Sequence, residues 1–160
     1  MCLTAALAAL SLGLAACGLN SRAEAARGAE RFLAAVHGHD RAAFEAAIDR
    51  PAVREDLRRQ LIAVAKAGGV EVEGGPSDFA LDRMITPEAF QLVERQTGGA
   101  APAGPSAAQL QPMMQAVDKT HVCLKDADRC LLTFARRKDG WRLVGMQATD
   151  LKILLPADGK

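Results

Sequence analysis

The spacing of apolar residues changes once along this chain, and the change limits the folds that the chain can adopt. Up to about residue 97 the apolar residues recur every three or four positions, which is typical of helices that bury one face. From Thr120 onward they alternate with polar residues, which is typical of strands. A helical first half and an antiparallel second half predict an α+β fold, in which N-terminal helices pack on one face of a small C-terminal sheet.

Capping residues mark the first two helices. Residues 21–24, Ser-Arg-Ala-Glu, have the spacing of a capping box, so a helix is predicted to begin there and to run to about His37. Gly38 is the residue expected to take a positive φ at its end. Asp40 is the predicted N-cap of a second helix, which ends near Ile48. The short connection makes the two helices an antiparallel pair.

Proline, glycine and further capping residues divide the rest of the helical half. Pro51 suits the first turn of a third helix, which should stop at Gly68. Either Ser77 or Asp78 is expected to cap a short fourth helix. Residues 86–88, Thr-Pro-Glu, are a start signal for a fifth helix that ends near Gly98.

A connection and then strands follow. Residues 98–108 are rich in Gly, Ala and Pro and have no apolar period, so they are predicted to form a flexible loop. An Asp-Gly pair at 139–140 is a strong signal for a hairpin turn between two of the strands. The predicted strands cover residues 120–123, 130–135, 141–146 and 151–155.

The cysteines fall into two groups. Cys2 and Cys17 belong to the N-terminal segment, whereas Cys123 and Cys130 flank a predicted hairpin. If that hairpin turns at residues 126–127, the two later cysteines lie directly opposite each other, at a separation that suits a disulfide. A structural disulfide is the main hypothesis. Two unpaired thiols and a redox or metal role are the alternatives.

Charge and composition exclude several classes of function. The chain has 20 basic and 19 acidic residues, interspersed along its length, for a net charge of +1. Nucleic-acid binding needs a concentrated basic face, so no nucleic-acid partner is expected. No Ser/His/Asp spacing, phosphate-binding loop or paired-carboxylate motif stands out. We therefore expect neither catalytic residues nor a cofactor, and classify the chain as a non-enzyme.

A few polar residues invite a functional interpretation but have a simpler one. His37 and His39 resemble a metal pair, yet Asp40 is the one further ligand nearby and is already needed as a cap, so no metal site is predicted. Asp49 and Arg54 flank the Pro51 corner and are candidates for a structural ion pair.

The N-terminal segment suggests where the protein acts. Residues 1–16 carry no charge and end in Leu-Ala-Ala before Cys17, which resembles the lipobox of bacterial lipoproteins. The resemblance implies that residues 1–16 are a cleaved signal peptide and that Cys17 is lipidated. Gly18 stands where proteins retained in the inner membrane often carry Asp, which favours the outer membrane. The alternative is an ordinary signal peptide or a buried apolar helix, with Cys17 incidental.

The predicted organisation has three parts. Residues 1–16 are the signal peptide, residues 17–22 the lipidated anchor and tether, and residues 23–156 a single α+β domain with the flexible loop at 98–108. A body of this size has room for one hydrophobic core.

Several short motifs mark the central part of the chain. Their residues are Asp49, Pro51, Arg54, Leu57, Leu61, Thr86, Pro87, Glu88, Phe90 and Gly140-Trp141-Arg142-Leu143. By these motifs the chain resembles the bacterial envelope family known as domain of unknown function 2939. Arg50 takes the place of the Phe that the family usually has. No activity is established for that family, so the resemblance implies no catalytic residue.

An opening helix, a Gly-x-Asp corner at residues 38–40, and a late strand pair with Gly140-Trp141 at its turn are the basis of a broader similarity. In these features the chain resembles the cone-shaped NTF2-like fold, which has a pocket between helices and a curved sheet. The resulting interpretation is a membrane-anchored, periplasm-facing envelope lipoprotein that acts as a binding or structural component. Its partners are membrane lipid, through acylated Cys17, and an envelope protein. The alternative function is a small-molecule-binding or enzymatic NTF2-like domain that uses a cavity between helices and sheet.

Overall fold

The computed structural model describes residues 12–70, 73–148 and 151–155, and gives the backbone alone for residues 12–19. Most of the helices precede the sheet, as the change of apolar period predicts. Single 3-10 turns occupy Pro87–Ala89 and Gln111–Met113. The helices are α1 (Leu12–His37), α2 (Arg41–Ala47), α3 (Arg50–Ala67), α4 (Asp78–Met84) and α5 (Ala107–Leu110).

The described strands form two sheets. The larger has four antiparallel strands in the order β2-β3-β4-β5, and the smaller pairs β1 with β6 in parallel. The α+β class and the packing of N-terminal helices on an antiparallel sheet are therefore confirmed. The strands are β1 (Gln91–Glu94), β2 (Met114–Ala116), β3 (His121–Asp126), β4 (Arg129–Arg137), β5 (Gly140–Met146) and β6 (Lys152–Leu155).

Helix α1 is the central element of the core. Its buried face combines small residues, which allow close approach, with Phe32 and Leu33, which are fully buried. Phe32 contacts three other rings, those of Phe44 from α2, Phe90 and Phe134 from β4, with centroids 5.1–6.1 Å apart. One aromatic cluster thus joins α1, α2, the segment before β1 and the sheet.

The closest approach of α1 to the sheet is at Gly28. A Cβ atom placed there would lie 2.7 Å from the Cβ of Trp141 and 3.0 Å from its carbonyl oxygen. Trp141 is 4% exposed, and its buried indole Nε1 has no hydrogen-bond partner among the residues that the structure describes. The helix and β5 can reach this separation because residue 28 has no side chain.

Helix α3 covers the outer edge of β5. The Asp49 backbone N–H donates to the Leu143 carbonyl, with a nitrogen–oxygen distance of 2.8 Å. The side chain of Asp56 accepts from the Met146 N–H, and the amide of Gln60 bonds to the Met146 carbonyl and the Ala148 N–H. These bonds satisfy backbone groups that an edge strand otherwise leaves open.

Several predicted helix boundaries are confirmed. Asp40 caps α2 by accepting from the Ala43 N–H, and Ser77 caps α4. Helix α3 starts at Arg50 with Pro51 in its first turn and ends at Ala67 with Gly68 as its C-cap, close to the predicted limits. These boundaries depend on side chain–backbone contacts within a few residues, which the sequence displays directly.

The predicted start of α1 and the predicted position of its positive φ are wrong. The chain is already helical at Leu12, the first described residue, and the helix continues through residues 21–24. The segment before Ser21 is rich in Ala and Leu, which favour helix. At the other end the positive φ, +50°, falls on His39 and not on Gly38. Since the Asp40 and His39 N–H groups bond back to Ala35 and Val36, the helix ends in a Schellman motif whose left-handed residue is His39.

The predicted helix after Thr86 is also wrong. It is limited to one 3-10 turn, and the chain then extends as β1, with Leu92 opposite Ile153 of β6. The pairing is with a segment about 60 residues later. Local spacing therefore carries no sign of it, and tertiary contacts override the local pattern.

Part of the predicted flexible loop has regular structure. Val93 forms an isolated bridge with Ala100, Pro105 is buried, and a Ser106–Gln109 capping box opens α5. The mobility of residues 98–108 stays a prediction.

We expect Gly28→Ala to lower the free energy of unfolding by about 1–3 kcal/mol, because the added methyl overlaps Trp141 and separates α1 from β5. Alanine's advantage over glycine within a helix, ~1 kcal/mol, acts in the opposite direction. Urea denaturation measures the change. Arg27→Ala, on the exposed side of the same helix, is the control, and equal stability of both variants would contradict the close contact.

Candidate functional site

The proposed lipidation residue lies in the first half of α1. The backbone of Cys17 is helical and continuous with the rest of that helix, whereas its side chain lies outside the description. Residues 1–11 of the predicted signal peptide also lie outside the described residues. In the part of the chain that the structure describes, no helix has both the length and the hydropathy to cross a bilayer.

A cleft lies close to this part of α1. It has a volume of about 500 Å³, and we call it the anchor-proximal cleft. Its walls come from α1, the residue after β1, the 3-10 turn before β2, the start of β2, and the end of β3 with the turn that follows it. The lining residues are Arg22, Arg95, Pro112, Met113, Met114, Gln115, Lys125, Asp126 and Ala127.

The anchor-proximal cleft has an excess of positive charge. Arg22, Arg95 and Lys125 supply three cations, and Asp126 supplies the one anion of the lining. The Arg95 guanidinium donates to Asp126 with a nitrogen–oxygen distance of 2.7 Å, which neutralises one of the three cations. Arg22 and Lys125 therefore provide the net charge of the cleft.

The β3–β4 hairpin that carries Lys125 is closed by a disulfide. Cys123 and Cys130 are bonded, and their Cα atoms lie 5.7 Å apart. By the chain-entropy estimate, so short a loop gains about 2–3 kcal/mol from the bond.

The predicted register of this hairpin is wrong. Cys123 lies opposite Thr133 and Cys130 opposite Lys125, with a bulge at this position. Side chains alternate between the two faces of a sheet, and the extra residue in β4, Leu131, returns Cys130 to the face of Cys123. The two cysteines can therefore bond diagonally without being directly opposed.

A second cleft, of about 690 Å³, lies where the α2–α3 corner meets the β4–β5 turn. Asp49 lines it, caps α3 and accepts a hydrogen bond from Arg137 Nε at 2.8 Å. The ions of this corner cleft are largely paired, since Arg142 also bonds to Asp139. Its lining residues are Ile48, Asp49, Arg50, Pro51, Arg137, Lys138, Asp139 and Arg142.

The predicted Asp49–Arg54 ion pair is wrong, because each residue pairs with a different partner. Arg54 bonds to Asp82 of α4, with Nε 2.7 Å from Oδ1. Residues five positions apart on a helix point about 140° away from each other, which separates Arg54 from the Asp49 cap. Arg54 therefore joins α3 to α4 and, among the described residues, forms no ion pair within the Pro51 corner.

Arg54 belongs to an ion-pair network between α3 and α4. Arg50, Arg54 and Arg58 lie four residues apart on one face of α3, facing Asp78 and Asp82. Arg50 also bonds to Glu45 and to the Ile85 carbonyl. The residue that replaces the family's usual Phe is thus 22% exposed and ties α3 to its neighbours through charge.

The network changes the ionisation of Asp82. Hydrogen bonds from Arg54, and secondarily from Arg50, lower the pKa of Asp82, although partial desolvation opposes the change. A carboxylate held in this way stabilises the folded state wherever it is ionised.

The histidines make structural contacts where contacts are described. The ring Nδ1 of His121 lies 2.8 Å from Asp118 Oδ2. Hydrogen bonds to Asp118, first of all from the Thr120 N–H, lower its pKa to about 2. His37 and His39 flank the end of α1, and the described residues contain no group of three side chains suited to a metal ion.

The space between α1 and the sheet is occupied by side chains. Phe32 and Phe134 are fully buried with ring centroids 6.1 Å apart, and Leu124 and Leu132 are also fully buried. No charged side chain is buried among the described residues. An NTF2-like ligand pocket would need room and a polar group at this position, and these rings occupy it.

Comparison with known proteins adds no relative. The chain matches no family model, and no curated protein and no solved structure matches it. The similarity to domain of unknown function 2939 therefore depends on the motifs quoted above alone.

Sequence reasoning missed the residues of the anchor-proximal cleft. Arg22, Arg95 and Lys125 are separated by about 30 to 70 positions and belong to three different segments. The one available signal was the position of Arg22, five residues after Cys17.

We expect Asp82→Asn to destabilise the protein at pH 7 by about 1–2 kcal/mol, a value reduced for a carboxylate that is 34% exposed. In the wild type this stabilisation is complete above the ordinary aspartate pKa, about 3.9. It is lost as the pH falls through the lower folded-state value. Melting temperatures measured from pH 7 to pH 2 should therefore fall less steeply below about pH 4 in the variant.

The control is Glu55→Gln, which removes an ion pair to Arg58 within α3 alone. Its melting temperature should stay close to that of the wild type. Identical acid profiles for Asp82→Asn and the wild type would refute the role of the α3–α4 network.

Proposed function

We propose that the protein is a lipid-anchored component of the bacterial envelope that acts by binding at its surface. The main support is the position of the charged cleft beside the anchor segment, on a domain whose central space is occupied by aromatic side chains. A filled centre favours a surface role over an internal ligand.

Lipidation of Cys17 would supply the attachment without a membrane-spanning helix. In the proposed chemistry the thiol of Cys17 attacks the diacylglyceryl carbon of a phospholipid, so that a C–S bond forms as the C–O bond to the headgroup phosphate breaks. The phosphate leaves with the headgroup, the thiol proton passes to solvent, and the leader is hydrolysed before this residue. Each acyl methylene transferred into the bilayer contributes about 0.8 kcal/mol, so two or more chains hold a protein stably. The folded domain then remains at the membrane surface, facing the periplasm.

The cysteine usage is consistent with export. The Cys123–Cys130 bond closes a hairpin that flanks the anchor-proximal cleft. Disulfides persist in oxidising compartments such as the periplasm and are rare in the cytosol. The disulfide therefore supports an extracytoplasmic location, and Gly18 after the cysteine favours the outer membrane.

A binding role is favoured over catalysis by the chemistry of the described residues. The carboxylates of the corner cleft and of the α3–α4 network are engaged by arginines. A general acid or base needs a pKa near the working pH, whereas the pKa of Asp82 and that of Asp118 are lowered. We accordingly assign these ion pairs to structure.

The lipid anchor predicts a specific effect of Cys17→Ser. The variant should lose radioactive palmitate incorporation and move from the membrane to the soluble or unprocessed fraction, because serine offers no thiol for the thioether. Mass spectrometry of the wild type from a Gram-negative host should give an N-terminus at residue 17 with acyl chains attached.

Cys2→Ser is the matched control, since it removes the other thiol of the N-terminal segment and should leave labelling unchanged. A wild-type N-terminus other than acylated Cys17 would refute the proposal, whatever the stability of the folded domain.

A further inference from the structure

We infer that the anchor-proximal cleft binds the headgroups of anionic phospholipids, so that the domain lies with this face against the membrane that holds Cys17. The inference rests on the proposed lipid anchor and deepens it. It specifies which surface meets the bilayer and the chemistry that the surface recognises.

Arg22 lies close to the proposed lipidation residue. Arg22 follows Cys17 by five residues on one continuous helix, so about 8 Å along the helix axis separates them. The polar layer of a bilayer leaflet is about 5–8 Å thick. A lipid chain on Cys17 therefore places Arg22 at the depth of the headgroups or just outside it.

The positive charge of the cleft complements an anionic headgroup. Arg22 and Lys125 line the cleft, and the structure describes no acidic partner for either of them within the residues it covers. Each cation close to an anionic membrane strengthens association by about fivefold. Arg95 is bound to Asp126 and adds little net charge of its own, although its guanidinium is still 53% exposed.

Both cations lie on rigid elements of the fold. Lys125 lies within β3, and the Cys123–Cys130 bond closes the hairpin that contains it. Arg22 is fixed on α1, which packs on the sheet. The two cations are thus held by the fold at the same cleft, so binding requires little ordering of the backbone.

The corner cleft offers a contrast within the same molecule. It has more cations, but Arg50, Arg137 and Arg142 bond to acidic side chains. A phosphate group would have to compete with a carboxylate for each of these three arginines. The anchor-proximal cleft, with two cations that need no such exchange, is the better headgroup site.

The test uses the acylated mature protein reconstituted in vesicles. Phosphatidylethanolamine vesicles are compared with vesicles that also contain phosphatidylglycerol, and hydrogen–deuterium exchange is followed in peptides that cover residues 112–115 and 125–127. We expect slower exchange of these peptides in the anionic vesicles. The protection should vanish in 1 M salt, where the screening length is about 3 Å.

A paired substitution tests the cations directly. Arg22→Gln with Lys125→Gln should abolish the difference between the two kinds of vesicle. Lys66→Gln with Lys138→Gln removes the same charge from exposed residues outside the cleft and should preserve it. The melting temperature of each variant establishes that it folds.

Failure of the headgroup site and failure of the lipid anchor give different results. Equal protection in neutral and anionic vesicles, for a protein that mass spectrometry shows to be acylated at Cys17, overturns the headgroup site and leaves the anchor intact. A protein that carries no acyl group at Cys17 overturns the anchor itself. Loss of protection in the control variant as well as in Arg22→Gln/Lys125→Gln would reduce the effect to net charge and also overturn the site.

Discussion

The packing of α1 against the antiparallel sheet is the interaction on which the rest of the structure depends. Gly28 allows the helix backbone to approach Trp141, and Phe32 extends from the same helix into the aromatic cluster. Burying one phenylalanine side chain contributes about 1.5–3 kcal/mol, and four such rings meet here. Because α2, the segment before β1 and β4 each contribute a ring to this cluster, a displacement of α1 would disturb every layer of the fold.

Helix α3 covers the edge of β5, whose backbone groups would otherwise be unpaired. The side chains of Asp56 and Gln60 and the backbone of Asp49 bond to β5 or the residues after it, so the edge is not available to another strand. Arginines of the same helix hold α4 through Asp78 and Asp82. Polar groups thus fix the periphery of the domain, while the apolar cluster fixes its centre.

The proposed membrane attachment and the fold use the same helix. Its N-terminal part carries Cys17 and Arg22, and its remaining turns form the core of the domain. A lipid chain at one end of a packed helix restricts the orientation of the whole domain, which a long flexible tether would not do. The disulfide-closed β3–β4 hairpin lies at that same end, so the proposed lipid contact follows from the placement of three separate segments.

The sequence by itself determined the class of the fold, the N-cap at Asp40, and three of the four strands of the antiparallel sheet, β3, β4 and β5. Each depends on residues within a few positions of one another, through side-chain caps or through the period of burial. Tertiary structure alone decided that residues 91–94 form a strand, that a bulge at Leu131 brings the cysteines to one face, and that Arg54 pairs with Asp82. The anchor-proximal cleft belongs to the second group. Its cations come from distant parts of the chain, and no local pattern records which segments the packing of α1 will bring together.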